Sequence, residues 1–240
     1  MYKRQQYPVP LKVEDFKWAA SKQAYAGHVA ERNGKYYWYV STNWCGIGVA
    51  VSDKITGPYK DVLDKPLLTN KDCFDSHHSW ACIDPAVFID DDGQAYLTWG
   101  NRECYIVKLK DNMIETEGEV KRIHIDESHP FTEAPWIHKY NGKYYLTYAS
   151  EWPEKIAYAV ADHIEGPYET KGIISEIAGN SNTTHPAIVN FKGQWIFISH
   201  NGGLTTGTSY SRSVIAEPME YNADGSIKPI PPTAEGVKPL

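Results

Sequence analysis

An all-β chain folded as a β-propeller is what the sequence predicts, on three observations. Four aromatic-rich hairpins recur at a spacing near fifty residues, and amphipathic helix periodicity is almost absent. The 17 Tyr, 8 Trp and 6 Phe bring the aromatic content to 13%. Such side chains suit pleated surfaces, and their flat apolar faces with polar edges also suit sugar rings. Radial repetition of a four-stranded unit is the architecture that a period of this length describes.

The hairpins are, in order, Arg32-Asn33-Gly34-Lys35-Tyr36-Tyr37-Trp38-Tyr39, Asp91-Asp92-Gly93-Gln94-Ala95-Tyr96-Leu97-Thr98, Tyr140-Asn141-Gly142-Lys143-Tyr144-Tyr145-Leu146-Thr147 and Phe191-Lys192-Gly193-Gln194-Trp195-Ile196-Phe197-Ile198. Asn-Gly and Asp-Gly mark tight hairpin turns because both central residues take positive φ. The four glycines are 59, 49 and 51 residues apart. Thr56-Gly57-Pro58-Tyr59 and Glu165-Gly166-Pro167-Tyr168 echo one another after the first and third hairpins, each behind a strand-like stretch, 46–51 and 156–160. Each repeat is expected to be one four-stranded blade. Residues 209–215 and 219–230 read as closing strands, before Pro229, Pro231 and Pro232 end the ordered core. Residues 1–240 are expected to form a single propeller domain.

In a propeller the first strand of each blade lines the central channel, so equivalent positions face one another. Nine residues before Gly93 and Gly142 stand Asp84 and Glu133, eight before Gly193 stands His185, and nine before Gly34 stands Tyr25. Pro or small residues follow three of them, in Asp84-Pro85-Ala86, Glu133-Ala134-Pro135 and His185-Pro186-Ala187. Each alone has a plain structural explanation as a turn opener or a hydrogen-bonded histidine. Together they place Asp, Glu and His at one radius. Carboxylates gathered in one pocket raise each other's pKa, and two of them flanking a sugar bond are the minimum apparatus of glycoside hydrolysis.

Charge and composition exclude other classes. The chain carries 24 Lys+Arg against 30 Asp+Glu, a net charge of −6, with no basic cluster to neutralise nucleic-acid phosphates. No apolar run approaches the ~20 residues of a membrane span. The opening MYKRQQYPVPLKVEDF lacks the apolar stretch of a signal peptide. Cys45, Cys73, Cys82 and Cys104 form no CxxC pair and read as four reduced thiols. The expected compartment is therefore the cytoplasm.

With these residues in place, the sequence resembles family 43 of the glycoside hydrolases, five-bladed propellers that cleave xylose and arabinose linkages. The resemblance runs from about Trp18 to Gly236. The stretch from Ile83-Asp84-Pro85-Ala86 to Asp91-Asp92-Gly93 resembles the family segment whose aspartate tunes and orients the acid. Phe131-Thr132-Glu133-Ala134-Pro135-Trp136 resembles the general-acid segment. Thr184-His185-Pro186 resembles the segment whose histidine reaches the propeller centre, where it holds water or a calcium ion. Ser199-His200-Asn201-Gly202 and Tyr210-Ser211-Arg212-Ser213-Val214 resemble the distal end, where the arginine contacts the sugar. Thr184 departs from the family, which usually carries an amide residue there.

The resemblance implies single-displacement inversion on arabinoxylan or xylo-oligosaccharides, with β-xylosidase or α-L-arabinofuranosidase activity. Glu133 would protonate the leaving oxygen and Asp84 would hold its pKa up. Arg212 and His200 would bind the sugar, with Trp80, Trp136 or Trp152 as a stacking wall; for at least two of these tryptophans blade packing is the favoured reading. Asp75, His77 and His78 form a polar loop, read as solvated rather than metal-binding. No cofactor is required, although the family centre at His185 allows calcium. The family's general base is an Asp of its first blade, and it has no match here: Asp15-Phe16-Lys17-Trp18 resembles the stretch after that blade, so about four blades of five are visible. Asp15 or a second copy of the chain completing the ring would then supply the base. Otherwise the propeller binds pentose glycans without cleaving them.

Overall fold

The computed structural model describes residues 7–20, 22–42, 46–177 and 179–238. Four antiparallel sheets follow one another along the chain. The first holds β1 (Ala24–Arg32), β2 (Lys35–Thr42), β3 (Gly46–Ser52) and β4 (Lys60–Asp61). The second holds β5 (Ala86–Ile89), β6 (Ala95–Trp99), β7 (Tyr105–Leu109) and β8 (Thr116–Arg122). β9 (Phe131–Tyr140), β10 (Lys143–Ser150), β11 (Lys155–Ala161) and β12 (Glu169–Ser175) make the third. β13 (Ala187–Phe191), β14 (Gln194–Asn201) and β15 (Ser213–Pro218) make the fourth. Each sheet is a meander in chain order, and the first strands contact one another in the sequence β1, β5, β9, β13. These are the blades of a β-propeller.

The turns explain the hairpins and correct one count. Asn33-Gly34, Asn141-Gly142 and Lys192-Gly193 are two-residue turns with φ of 54° and 75°, 49° and 76°, and 52° and 82°. In the second blade the loop holds three residues, 91–93: Asp90 N–H donates to Gln94 O, Gly93 N–H donates to Asp90 O, and only Gly93 is left-handed, at 86°. That is a type I turn closed by a glycine bulge. Counting back from the glycines therefore misaligns this blade by one residue. Measured from the last paired residue of each inner strand, Arg32, Asp90, Tyr140 and Phe191, the equivalent positions six residues earlier are Ala26, Asp84, Ala134 and His185. Ala26, Asp84 and Ala134 share a left-handed φ of 49°, 59° and 60°. Glu133 and Tyr25 thus stand one step before the shared radius, not on it. Pro135 is tolerated in β9 because this inner strand is a sheet edge and a bulge interrupts its pairing with β10 there.

The core lies between blades. Tyr37, Tyr39, Ile47 and Val49 of the first blade meet Leu97, Trp99, Tyr105 and Val107 of the second. Tyr96 and Ile106 meet Ile137, Leu146 and Tyr148 of the third, whose other face, with Tyr145, Ile156 and Tyr158, meets Ile188 and Phe197 of the fourth. Alternation along β2 sends Tyr36, Trp38 and Val40 to the opposite face, where Phe16 and Trp18 cover them. Each fully buried aliphatic or aromatic side chain contributes ~1.5–3 kcal/mol. Polar tips are satisfied locally: Tyr39 Oη donates to Met113 O at 2.6 Å, and Tyr59 and Tyr168, in the two Gly-Pro-Tyr echoes, donate to Ile55 O and Ile164 O.

The tail differs from its reading as two strands. Only 213–218 is a strand; Thr208 and Ser211 turn back on one another, and 219–230 is a loop with a single bridge between Tyr221 and Ile227. Aromatic packing replaces pairing there, since Tyr221 stacks on Tyr140 with ring centroids 3.6 Å apart. Met219, Ile227 and Ile230 close the interface between the third and fourth blades.

Candidate active site

The chemistry gathers where the inner strands begin. Asp84 sits just ahead of β5, its backbone N–H donating to Ser41 Oγ at 2.9 Å, at the end of β2. Its Oδ2 accepts from the amide of Ala134 at 3.1 Å and lies 4.0 Å from His185 Nδ1. The residue is 4% exposed, and burial pushes its carboxyl up to about 7, against the opposing pull of the Ala134 amide and the Arg212 charge.

Glu133, one residue before Ala134 on β9, is half-buried, and its Oε2 accepts from Asn101 Nδ2 at 2.7 Å. Burial first, and the Asp84 charge second, push it up to about 7, while His185, Asn101 and Glu154 favour its ionised form. Asn101 is presented by the β6–β7 turn, and that turn demands Gly100: φ is 134°, and a Cβ there would stand 2.0 Å from Glu103 O.

A third carboxylate joins them that the sequence reading missed. Glu154, in the β10–β11 turn, is 2% exposed. Its Oε2 accepts from Thr184 N–H at 2.8 Å and its own N–H donates to Asn182 O at 2.9 Å. Burial and the neighbouring Glu133 charge push it up to about 9. Its only sequence signal is that Glu151-Trp152-Pro153-Glu154 closes a hairpin at the same end of the blade as Asn101.

Arg212 lies at the mouth, exposed, with Nη1 donating to Thr183 Oγ1 at 3.0 Å and facing His200 Nε2 at 3.3 Å. His185, His28 and His200 border a central cavity of about 200 Å³ with Ala26, Pro85 and Trp136. Desolvation in this narrow space lowers all three imidazoles to about 4, although the His185 side chain keeps 30% exposure onto it. A larger cavity of about 600 Å³ on the flank of the third blade, bordered by Lys143, Tyr158 and Asp224, touches none of the three carboxylates.

Other candidates stand outside the carboxylate cluster. Trp136 packs between blades: its indole N–H donates to Ile188 O at 2.9 Å and its ring meets His28 at 5.0 Å. Trp80 and Trp152 are 40% and 67% exposed. In the polar loop Asp75 pairs with Arg122 at 3.2 Å, and His78 bonds Ser76 Oγ and the Trp80 amide. Among the described residues no group of three or more His, Cys, Asp or Glu side chains is placed to hold a metal ion. Asp15 is spent on a short 3-10 turn, accepting from Lys12 N–H at 2.7 Å, beside the Phe16 that packs on the outer face of the first blade. Cys73, Cys82 and Cys104 are buried free thiols, and Cys45 lies outside the described residues.

With this geometry established, likeness to known proteins becomes informative. The profile described as "Glycosyl hydrolases family 43" matches residues 4–227. A xylosidase/arabinosidase 43A of Humicola insolens is 35% identical, the match covering 91% of this chain and 78% of that protein. A β-xylosidase of Xylanibacter ruminicola is 33% identical, covering 91% and 77%. The solved structure of an α-L-arabinofuranosidase from Clostridium thermocellum superposes with a TM-score of 0.77 at 38% identity, covering 91% of this chain and 76% of that one.

Proposed function

We propose, for a chain that belongs to family 43 of the glycosyl hydrolases, that it cleaves xylose or arabinose linkages in arabinoxylan and xylo-oligosaccharides, with inversion at the anomeric carbon. It is a glycosidase of the xylosidase and arabinofuranosidase type. The observation that carries the proposed mechanism is the half-buried Glu133 carboxyl beside Asp84, which burial first and the Asp84 charge second hold up at about 7. A carboxyl there keeps its proton near neutral pH and releases it to a leaving oxygen.

In this reading Glu133 is the general acid. Asp84 raises and orients it through its field and through the amide of Ala134. Arg212 and His200 hold sugar hydroxyls at the mouth. The base that activates water is a separate group. An inverting pair stands ~6.5–9.5 Å apart, whereas Glu154 lies within hydrogen-bonding reach of Glu133 and Asp84 is closed off from water. The cavity beside His185 is bordered by imidazoles, Ser199 and apolar carbons, so it suits water, and a calcium ion there would take most of its six to eight oxygens from water.

Sugar release from xylobiose and from an arabinofuranosyl-substituted xylo-oligosaccharide, wild type beside Glu133→Gln, tests the reading and names the sugar, because these leaving groups need the proton. Turnover that the variant loses supports it; equal rates in both contradict it.

A further inference from the structure

Among the buried ionisable groups that the mechanism above does not use, Glu154 is the one beside the general acid. Glu154 is 98% removed from solvent, yet among the described residues its Oε1 accepts from no N–H or hydroxyl donor. A buried carboxyl oxygen without a partner is costly, and such groups persist where they serve a second group. Everything else about the residue is fixed: Oε2 is held by the Thr184 amide, the backbone N–H by Asn182 O, and Thr184 itself by Ser199, whose hydroxyl lies 2.7 Å from its own. That leaves Oε1, and the Glu133 carboxyl is a neighbour of the Glu154 side chain.

We propose that Glu154 is a positioning residue for the general acid, a buried carboxyl anchored at one oxygen by Thr184 and turning its other oxygen, as O–H, onto Glu133. The inference rests on the reading of Glu133 as the acid. The charged and titratable groups facing the pair are Asp84 and His185, both of which feel Arg212 in turn, with Asn101 Nδ2 on Oε2 of Glu133. Burial first and the Glu133 charge second push Glu154 up, and its hydrogen bond favours the ionised form of Glu133, so when the pair holds one proton that proton rests on Glu154. When Glu133 gives its proton to the leaving oxygen, the carboxylate left behind then receives the Glu154 O–H instead of facing a second negative charge. No proton leaves the pair in this step beyond the one delivered to substrate.

Two readouts test this, and the first needs no turnover. Infrared titration of the protonated-carboxyl C=O stretch should show a group in the wild type that survives at pH 8, titrates near 9 and is gone in Glu154→Gln. Absence of that band in the wild type, or its persistence in the variant, overturns the proposal whether or not the protein hydrolyses anything. The second readout is the pH profile of kcat/KM. Glu154→Leu removes the donor that favours ionised Glu133, so the basic limb should move up by about one pH unit and kcat should fall ~10-fold. Glu154→Gln keeps an N–H donor for Glu133 and an acceptor for Thr184, so its basic limb should stay in place. A limb unmoved in Glu154→Leu contradicts the inference, because loss of packing alone does not shift an ionisation. A wild type inactive on both glycosides would instead overturn the hydrolase reading and leave the infrared result to decide the role of Glu154.

Discussion

The amide of Ala134 donates to Asp84 Oδ2 at 3.1 Å, and this bond joins the second and third blades at the residue next to Glu133. It depends on two left-handed residues, Asp84 at 59° and Ala134 at 60°. The kink at Asp84 turns its carboxyl across to the next blade, and the kink at Ala134 turns its N–H out of the β-ladder to meet it. Asp84 and Glu133 therefore communicate through one peptide unit as well as through space, and Glu133 is held by the backbone that its neighbour organises.

Asp84→Asn should move the basic limb of kcat/KM down. The Asp84 charge raises Glu133, so removing it lets Glu133 ionise at lower pH. The expected shift is about one unit, with kcat down ~10–10³-fold, opposite in sign to Glu154→Leu. A pH–rate series on the variant checks it, and a limb at the wild-type position would remove Asp84 from this role.

Arg212→Gln should raise KM about tenfold or more while changing kcat much less, because a guanidinium at the mouth binds substrate and transition state alike. The residue is exposed and its contacts are with Thr183 and His200 alone among hydrogen-bond partners of the described residues, so melting should be unaffected. An unchanged KM places the sugar elsewhere.

Stability should fall as pH rises above ~6.5. His28, His185 and His200 at about 4 and His138 at about 3 are all below the ordinary imidazole value, so the unfolded chain binds more protons between about 4 and 6.5 and stability drops as pH falls through that window. Asp84, Glu133 and Glu154 are raised, so the folded chain binds more protons from ~4 upward, and their contribution to folding is lost as pH rises to about 7 for Asp84 and Glu133 and to about 9 for Glu154. The two sets oppose one another below 6.5, and above it only the carboxylates titrate. Melting temperature should therefore decline from pH 6.5 to 9, and Glu154→Gln should flatten the upper part of that decline. An identical slope in the variant would show Glu154 already ionised.

What the sequence disclosed follows from how locally each feature is encoded. The hairpins were legible because Asn-Gly turns and alternating aromatics act over a few residues, and the blades followed from their repetition. Asp84, Glu133, His185 and Arg212 stand in motifs legible in the sequence, and the structure brings them to one end of the channel. Their registry was not legible. A single extra loop residue at 91–93 shifts the count for one blade, and only the pairing of Asp90 with Gln94 reveals it. Glu154 was invisible for a related reason. Its burial depends on a turn folding back toward the segment at 182–184, a tertiary contact that no local pattern announces. The tail was misread because alternating apolar residues at 219–230 pack against Tyr140 and Tyr145 instead of pairing as a strand.

The central claim is that Glu133 delivers a proton to the leaving oxygen, and leaving-group dependence tests it most directly. Turnover of xylobiose and of nitrophenyl β-xyloside should be measured side by side for the wild type and Glu133→Gln. A poor leaving group needs the proton and a nitrophenolate scarcely does. The account predicts a loss of ~10²–10⁴-fold on xylobiose and a far smaller loss on the nitrophenyl glycoside. Equal losses on both substrates would contradict it, because Glu133 would then be holding the site together without donating a proton.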